Sequence, residues 1–233
     1  MKITKIEEVD GRNETKGCEF SPREIIRELK NIWISEGLEK LDYVLVERNA
    51  DLFIGGDHSV SYNSFRESGC DGLLIFDAHP DVYQEFDSPT HLDWLKFLVD
   101  EKKVDCKRVV IVGLRNFHGE EVEFLNKKGI KYITMKQIFE VGVKNVCDSV
   151  MELVNGFSKL YLSVDMDVVD PAFAPGVGFS EPGGLNSREM IYFLQRMKKL
   201  KNLKKVDIVE VNLDKDINNQ TVKLAAKFIW ELA

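Results

Sequence analysis

A chain of 233 residues, 44% hydrophobic and 30% charged, can bury one sizeable core and is too apolar for a disordered segment. Its formal net charge of −7 argues against nucleic acid or an anionic membrane as partner and suits a cationic ligand, and no apolar run reaches bilayer length. Cys18, Cys70, Cys106 and Cys147 show no CxxC spacing, and the N-terminus lacks an apolar signal core, so a cytoplasmic protein with reduced thiols is expected.

Along the chain, residues 2–6 read as an edge strand. At Ser21-Pro22-Arg23-Glu24, serine is expected to cap a helix, proline to fill its first turn and Glu24 to close a capping box. That helix should run to about Ser35, with Ile25, Ile26, Leu29, Ile32 and Trp33 on one face. A brief strand at 52–54 enters Gly55-Gly56-Asp57-His58-Ser59, and a helix over 60–67 follows. The apolar run 73–76 reads as a buried strand, with a helix over 89–101 after it. Strand 108–113, helix 120–128 ended by Gly129, strand 131–133 and helix 145–157 continue the alternation. Strand 160–164, a Gly/Pro-rich loop over 171–184, helix 187–200, strand 206–212 and helix 221–232 complete it. Without repeats or linkers, residues 1–233 read as a single domain. Short apolar strands alternating with helices imply an α/β fold with a mostly parallel central sheet and helices on both faces.

In such sheets ligands sit beyond the carboxyl ends of the strands, where His58, Asp77, His79, Asp81, Asp165, Asp167 and Glu210 all fall. The segment Asp77-Ala-His79-Pro80-Asp81 places ligand-type side chains at every second position, which an extended backbone would project to one side. Asp165 and Asp167 repeat the spacing, so a strand extension would aim both the same way. Four carboxylates and two imidazoles form a hard donor set, unlike a closed thiolate cage. Clustered carboxylates would not all ionise unaided, and two divalent ions relieve that repulsion. Mn²⁺ fits the mixture best, ahead of Ni²⁺, Co²⁺ and Zn²⁺. Such a pair lowers the pKa of a shared water from roughly 15.7 towards 7, which points to a hydrolase.

Gly-Gly-Asp-His-Ser (55–59), Asp-Ala-His-Pro-Asp (77–81) and Ser-Val-Asp-Met-Asp-Val-Val-Asp-Pro (163–171) resemble the three signatures of the ureohydrolase family of arginase, agmatinase and formiminoglutamase. The loop 174–185 and the segment Asp207-Ile-Val-Glu210-Val-Asn212 also look like family segments in the right order. The resemblance implies a three-layer arginase-like fold and two Mn²⁺ per chain. By the same resemblance His58, Asp77, Asp81 and Asp165 would hold one ion, and His79, Asp77, Asp165 and Asp167 the other. Glu210 would bind the guanidinium, and His91, followed by Leu92 where the family has glycine, would shuttle protons. His91 or Asp167 would protonate the leaving amine, so the catalytic set is His91, Asp167 and Glu210.

Glu181, in a stretch that looks like the agmatinase version of its loop, joins Glu210 and His91 as a candidate substrate contact. The segment 82–89 lacks the Ser/Asn-rich pattern for an amino-acid head and carries Glu85 and Asp87, which favours an amine tail. Agmatine, cleaved to putrescine and urea in polyamine biosynthesis, is thus the preferred substrate. Arginine, formiminoglutamate or another guanidino compound is the alternative, as is a metal-binding homologue without activity. The resemblance implies a homo-oligomer, a trimer or hexamer. Because family members are usually longer, the short stretch before Gly55 leads us to expect a missing piece of pocket wall or subunit contact. His118 reads as a loop histidine, Asp57 and Asp170 as turn residues or supports behind the ligands, and Trp94 as core.

Overall fold

The runs Gly72-Leu-Leu-Ile-Phe76, Val109-Val-Ile-Val112 and Leu160-Tyr-Leu-Ser-Val164 carry apolar side chains at both odd and even positions, as strands covered on both faces must. The computed structural model describes residues 1–32, 40–83 and 86–233. Among these, eight strands form one sheet: β1 (Lys2–Ile6), β2 (Val44–Leu45), β3 (Leu52–Gly55), β4 (Gly72–Phe76), β5 (Val109–Leu114), β6 (Lys131–Thr134), β7 (Leu160–Asp165) and β8 (Leu203–Val209). Their spatial order is β2-β1-β3-β8-β7-β4-β5-β6, and every neighbouring pair is parallel.

Side-chain alternation along the strands builds two cores. Leu74, Phe76, Val110, Val112, Leu160, Leu162 and Val164 meet α1 (Ser21–Leu29), α6 (Val143–Asn155), α7 (Ser187–Met197) and α8 (Gln220–Leu232). Leu73, Ile75, Val109, Ile111 and Tyr161 meet α2 (Val60–Ser68), α3 (Trp94–Asp100) and α4 (Gly119–Lys128) on the other face. Each fully buried Leu, Ile or Phe contributes roughly 1.5–3 kcal/mol, so the two cores fix the sheet and the direction in which its strand ends point.

Several element boundaries differ from the sequence reading for identifiable reasons. Ser21 does not cap α1; its hydroxyl donates to the Cys18 carbonyl at 2.9 Å, and the helix continues from a 3-10 turn at Cys18–Phe20. The helix ends at Leu29, and Trp33 and Ser35 lie outside the described residues. The helix expected from residue 89 begins at Trp94, because Asp93 accepts hydrogen bonds from both the Thr90 amide and its hydroxyl and bends residues 90–93 into a turn. Strand β8 stops at Val209 instead of continuing through Asn212, since Glu210 takes a positive φ of 65°. An unexpected helix α5 (Met135–Val141) starts at a reciprocal Thr134–Gln137 capping box, a signal present in the sequence.

Gly113 has φ +110°, and the β5–β6 register shifts between Val112 and Leu114. This irregularity turns the following backbone towards β4, so that the Arg115 and Asn116 amides both donate to the Ala78 carbonyl. A Cβ on Gly113 would lie 2.5 Å from the Val168 side chain and 3.0 Å from the Asp77 carbonyl oxygen. Gly113→Ala is expected to lower stability by about 1–3 kcal/mol through conformational strain and overpacking, read as a lower urea midpoint at unchanged slope.

Candidate metal centre and active site

Four strands adjacent in the sheet, β3, β8, β7 and β4, deliver the site from their carboxyl ends. After β3 comes His58, after β8 Glu210, at the end of β7 Asp165, and after β4 Asp77, His79 and Asp81. The residues named from the sequence do converge, but not for the backbone reason expected. Beyond Phe76 the chain is not extended: the Asp77 carboxylate accepts the His79 amide at 2.6 Å, and Asp81 lies at φ +53°. Asp165 likewise accepts the Asp167 amide at 2.7 Å, and residues Met166–Val168 form a 3-10 turn. Asp167 Oδ1 accepts the Ala78 amide at 3.0 Å, which ties the two ligand segments together.

His58 Nδ1 lies 2.9 Å from Asp81 Oδ2 and 3.1 Å from both Asp77 Oδ2 and Asp165 Oδ2. His79 Nδ1 lies 2.8 Å from Asp167 Oδ2 and 3.6 Å from Asp77 Oδ1. Two groups, His58–Asp77–Asp165 and Asp77–His79–Asp167, thus each bring three ligand atoms within reach of one cation, and they share Asp77. Despite the short distances, His58 Nδ1 and Asp77 Oδ2 are buried without an aligned hydrogen-bond partner. Leaving such groups unsatisfied costs about 1–3 kcal/mol each, whereas a cation between them satisfies both. The donor set and its orphaned atoms fit a pair of divalent ions.

The electrostatics agree. Burial would keep His58 neutral, yet Asp165, Asp77 and Asp81 raise its pKa well above the ordinary value. Burial followed by the Asp77 charge pushes Asp81 up to about 6, and burial with Asp167 and Asp77 raises Asp165. Against its own burial, Asp77 is held low by His58 and His79. Against its own burial too, Asp167 and Asp77 push His79 up to about 12.

A cavity of about 240 Å³ opens over this centre, lined by Asp165, Asp167, His79, Asp81, Glu210 and His91, with Tyr83, Leu92, Asn116, Phe117, His118, Glu121 and Phe179 towards its mouth. Glu210 Oε1 accepts the His58 amide at 2.8 Å, and burial with the nearby Asp57 charge pushes its carboxyl up to about 8. A Cβ on Gly178 would lie 2.8 Å from Glu210 Oε2, so only glycine leaves the carboxylate its space. Glu181 Oε1 accepts from the Asn116 side-chain Nδ2 at 2.6 Å and lies 4.0 Å from His79 Nε2, at the edge of the centre. His118 is a loop residue, as expected, and also lines the cavity, its ring tilted against Tyr83 with centroids 4.5 Å apart. Asp87 is exposed and does not line the cavity, and Glu85 lies outside the described residues.

Other participants escaped the sequence reading. Trp94 is core as expected, but its indole N–H also donates to Asp81 Oδ2 at 2.7 Å. Ser163 donates to Asp207 Oδ1 at 2.6 Å, so its oxygen accepts from His58 Nε2 at 3.0 Å and leaves Nδ1 facing the centre. Ser61 and Tyr161 hydroxyls donate to the other Asp207 oxygen, both at 2.7 Å. The stretch before Gly55 also reaches the site. The N-terminal loop supplies Asp10, Thr15 and Cys18, with Cys18 Sγ 3.7 Å from Glu210 Oε2 and Asp10 2.6 Å from His91 Nδ1.

A carboxylate–imidazole cluster fit for cations, at the carboxyl ends of a parallel sheet with a further buried carboxylate beside it, defines the class of site on this α/β scaffold. The chain belongs to the arginase family, whose model matches residues 35–233. It is 34% identical over 210 residues to proclavaminate amidinohydrolase of Streptomyces clavuligerus, covering 87% of this chain and 66% of that protein. With guanidinopropionase of Pseudomonas aeruginosa it shares 33% identity, covering 78% of this chain and 59% of the relative. With mitochondrial arginase 1 of Arabidopsis thaliana it shares 32%, covering 78% and 54%. The chain thus spans less than two thirds of the length of these relatives. The solved structure of the Streptomyces clavuligerus enzyme superposes with a TM-score of 0.87 at 26% identity, covering 99% of this chain and 89% of that one. Agmatine ureohydrolase of Thermoplasma volcanium shares the fold, with a TM-score of 0.83 at 22% identity and coverage of 99% and 87%.

A cation is ligated by ionised carboxylates and neutral imidazole, and burial with the Asp77 charge pushes Asp81 up to about 6. Mn²⁺ affinity is therefore expected to tighten as pH rises through about 6, where Asp81 titrates. Calorimetric titrations on either side of that pH check the sign, and proton release should accompany binding.

Proposed function

We propose that the chain is a single-domain, binuclear manganese hydrolase that cleaves the guanidino group of a small cationic substrate, agmatine, to putrescine and urea. The observation that carries this reading is the pair of buried carboxylate–imidazole triplets sharing Asp77 on the floor of a cavity whose wall holds Glu210. His58, Asp77, Asp81 and Asp165 would hold one ion, and His79, Asp77, Asp165 and Asp167 the other. When bound, the ions supply Lewis acidity and lower the pKa of water to near 7.

The protein's own groups do the rest. Glu210, buried and raised to about 8, gains a partner when a guanidinium enters, and the charge-assisted pair favours its ionised form. Its fixed Oε1 orients the planar cation with the central carbon towards the carboxylate cluster. His91 presents Nε2 to the cavity and delivers a proton to the leaving amine, Asp167 being the other group placed to do so.

The tail of the substrate meets acid, not base. Among the described residues the lining holds Asp81, Asp165, Asp167, Glu121 and Glu210 but neither Lys nor Arg. The nearby Arg115 is committed to the carbonyls of Asp167 and Glu181. A carboxylate tail would find neither Lys nor Arg in this lining, whereas an ammonium would find Glu121 and the rings of Tyr83 and Phe117, with Glu181 nearby. The relatives' names include an amidinohydrolase, a guanidinopropionase and an arginase, so family membership alone leaves the tail open. Exposed Phe139 and Val141 on α5 support self-association, with a trimer or hexamer as the expected form. Among the described residues no helix is long and apolar enough to cross a membrane.

With Mn²⁺-loaded protein, urea release from agmatine should exceed that from arginine at least about tenfold in kcat/KM. Turnover of arginine and of no guanidino-amine would end the agmatine assignment. Urea from no guanidino substrate would favour a metal-binding homologue. Asp165→Asn should abolish Mn²⁺-dependent turnover, a loss of at least about 10³-fold, and an unaffected rate would contradict a ligand role.

A further inference from the structure

The ring of His91 is held from across the molecule. Asp10 Oδ2 accepts both the His91 backbone amide at 3.1 Å and ring Nδ1–H at 2.6 Å. Asp10 is itself fixed: its amide donates to Asp57 Oδ2 at 2.7 Å, and its Oδ1 accepts the Arg12 amide at 2.9 Å. Thr15 donates to the same Asp57 oxygen at 3.0 Å. The side chains of Asp10 and His91 are 3% and 4% exposed, so water does not compete for the contact. These inward-facing atoms are already paired within the protein, so Asp10, Asp57 and His91 act as a hydrogen-bonded brace and not as a third cation site. The remaining ring nitrogen, Nε2, is buried without a partner, and the ring lines the cavity beside Glu210.

We propose that Asp10 is a positioning residue. It locks the His91 imidazole with hydrogen on Nδ1 and so makes Nε2 the nitrogen that faces the reacting end of a bound substrate. A neutral imidazole can carry its hydrogen on either nitrogen, and a carboxylate on one side selects the tautomer and the ring orientation together. With Nδ1–H held by Asp10 in both the neutral and the charged ring, every proton exchanged with substrate passes through Nε2. The N-terminal loop thereby controls a group 81 residues further along the chain. The proposal rests on the reading of His91 as proton donor.

Asp10→Asn tests it, because the amide keeps the size but can donate to Nδ1 and move the ring hydrogen to Nε2. With Mn²⁺-loaded protein and agmatine, kcat should fall about 10²–10⁴-fold with KM changed less than about threefold, the scale known for buried carboxylate–imidazole pairs in other enzymes. In a His91→Ala background the same substitution should cost less than about twofold, as expected for groups acting as one unit. An equal loss in both backgrounds, or a change confined to KM, overturns the proposal. A second measurement needs no turnover: ¹⁵N-histidine NMR of the protein loaded with diamagnetic Zn²⁺. It should show a hydrogen-bonded Nδ1–H on His91 in the unsubstituted chain and its loss in Asp10→Asn at a similar unfolding temperature. If the unsubstituted protein hydrolyses no guanidino compound, the hydrolase reading fails and the NMR result alone decides the role of Asp10. An Nδ1 without hydrogen in the folded, unsubstituted protein overturns it.

Discussion

Five carboxylates, those of Asp77, Asp81, Asp165, Asp167 and Glu210, converge behind four neighbouring strand ends, and each is less than a tenth exposed. Charges that close in a poorly hydrated space repel strongly: burial and neighbouring charge raise the pKa values of Asp81, Asp165 and Glu210, and the surrounding carboxylates raise those of His58 and His79. His58 Nδ1 and Asp77 Oδ2 remain unpaired in a core where most polar atoms find partners. The fold supports a charge distribution that becomes satisfied only when cations enter, and the rest of the molecule can be understood as what holds that distribution in place.

Two kinds of support do the holding. One is polar: Asp207, fully buried, gathers Ser61, Tyr161 and Ser163, and through Ser163 sets the orientation of His58. Trp94 does the same for Asp81 from α3. The other is conformational. Asp81 and Glu210 both adopt positive φ, a region that costs a non-glycine residue roughly 1–2 kcal/mol; Glu210 directly follows β8, and Asp81 lies in the turn beyond β4. Strain at those two positions coincides with the residues the proposed chemistry needs most.

Much of this was legible before the fold was known. Unbroken apolar runs such as 72–76 and 160–164 revealed buried parallel strands, and Asp-x-His-x-Asp with Asp-x-Asp marked out acidic and imidazole groups that the fold gathers at the strand ends. The ligand spacing gave the correct convergence for an incorrect reason, since residue 81 turns left-handed and residue 167 sits in a 3-10 turn. What stayed hidden is long-range. Asp207 and Ser163 meet only because β7 and β8 are neighbours in register. Asp10 reaches His91 only because the N-terminal loop folds back over Gly56, whose missing Cβ leaves room for the Glu8 carbonyl. No local pattern encodes such meetings, and a single acidic residue in a polar loop gives no periodic signal. Helix α5 is a different kind of omission, because its Thr134–Gln137 capping box was there to be read.

The central claim, that this carboxylate crowd is built around cations, is tested most directly by counting them and weighing their effect on folding. Isothermal titration of metal-stripped protein with Mn²⁺ should give two ions per chain, and thermal unfolding should move upward with Mn²⁺ concentration. A hundredfold excess over the dissociation constant would contribute about 2.7 kcal/mol per site. A chain that binds no divalent ion, and whose unfolding temperature is the same with Mn²⁺ as with a chelator, would contradict the account at its root.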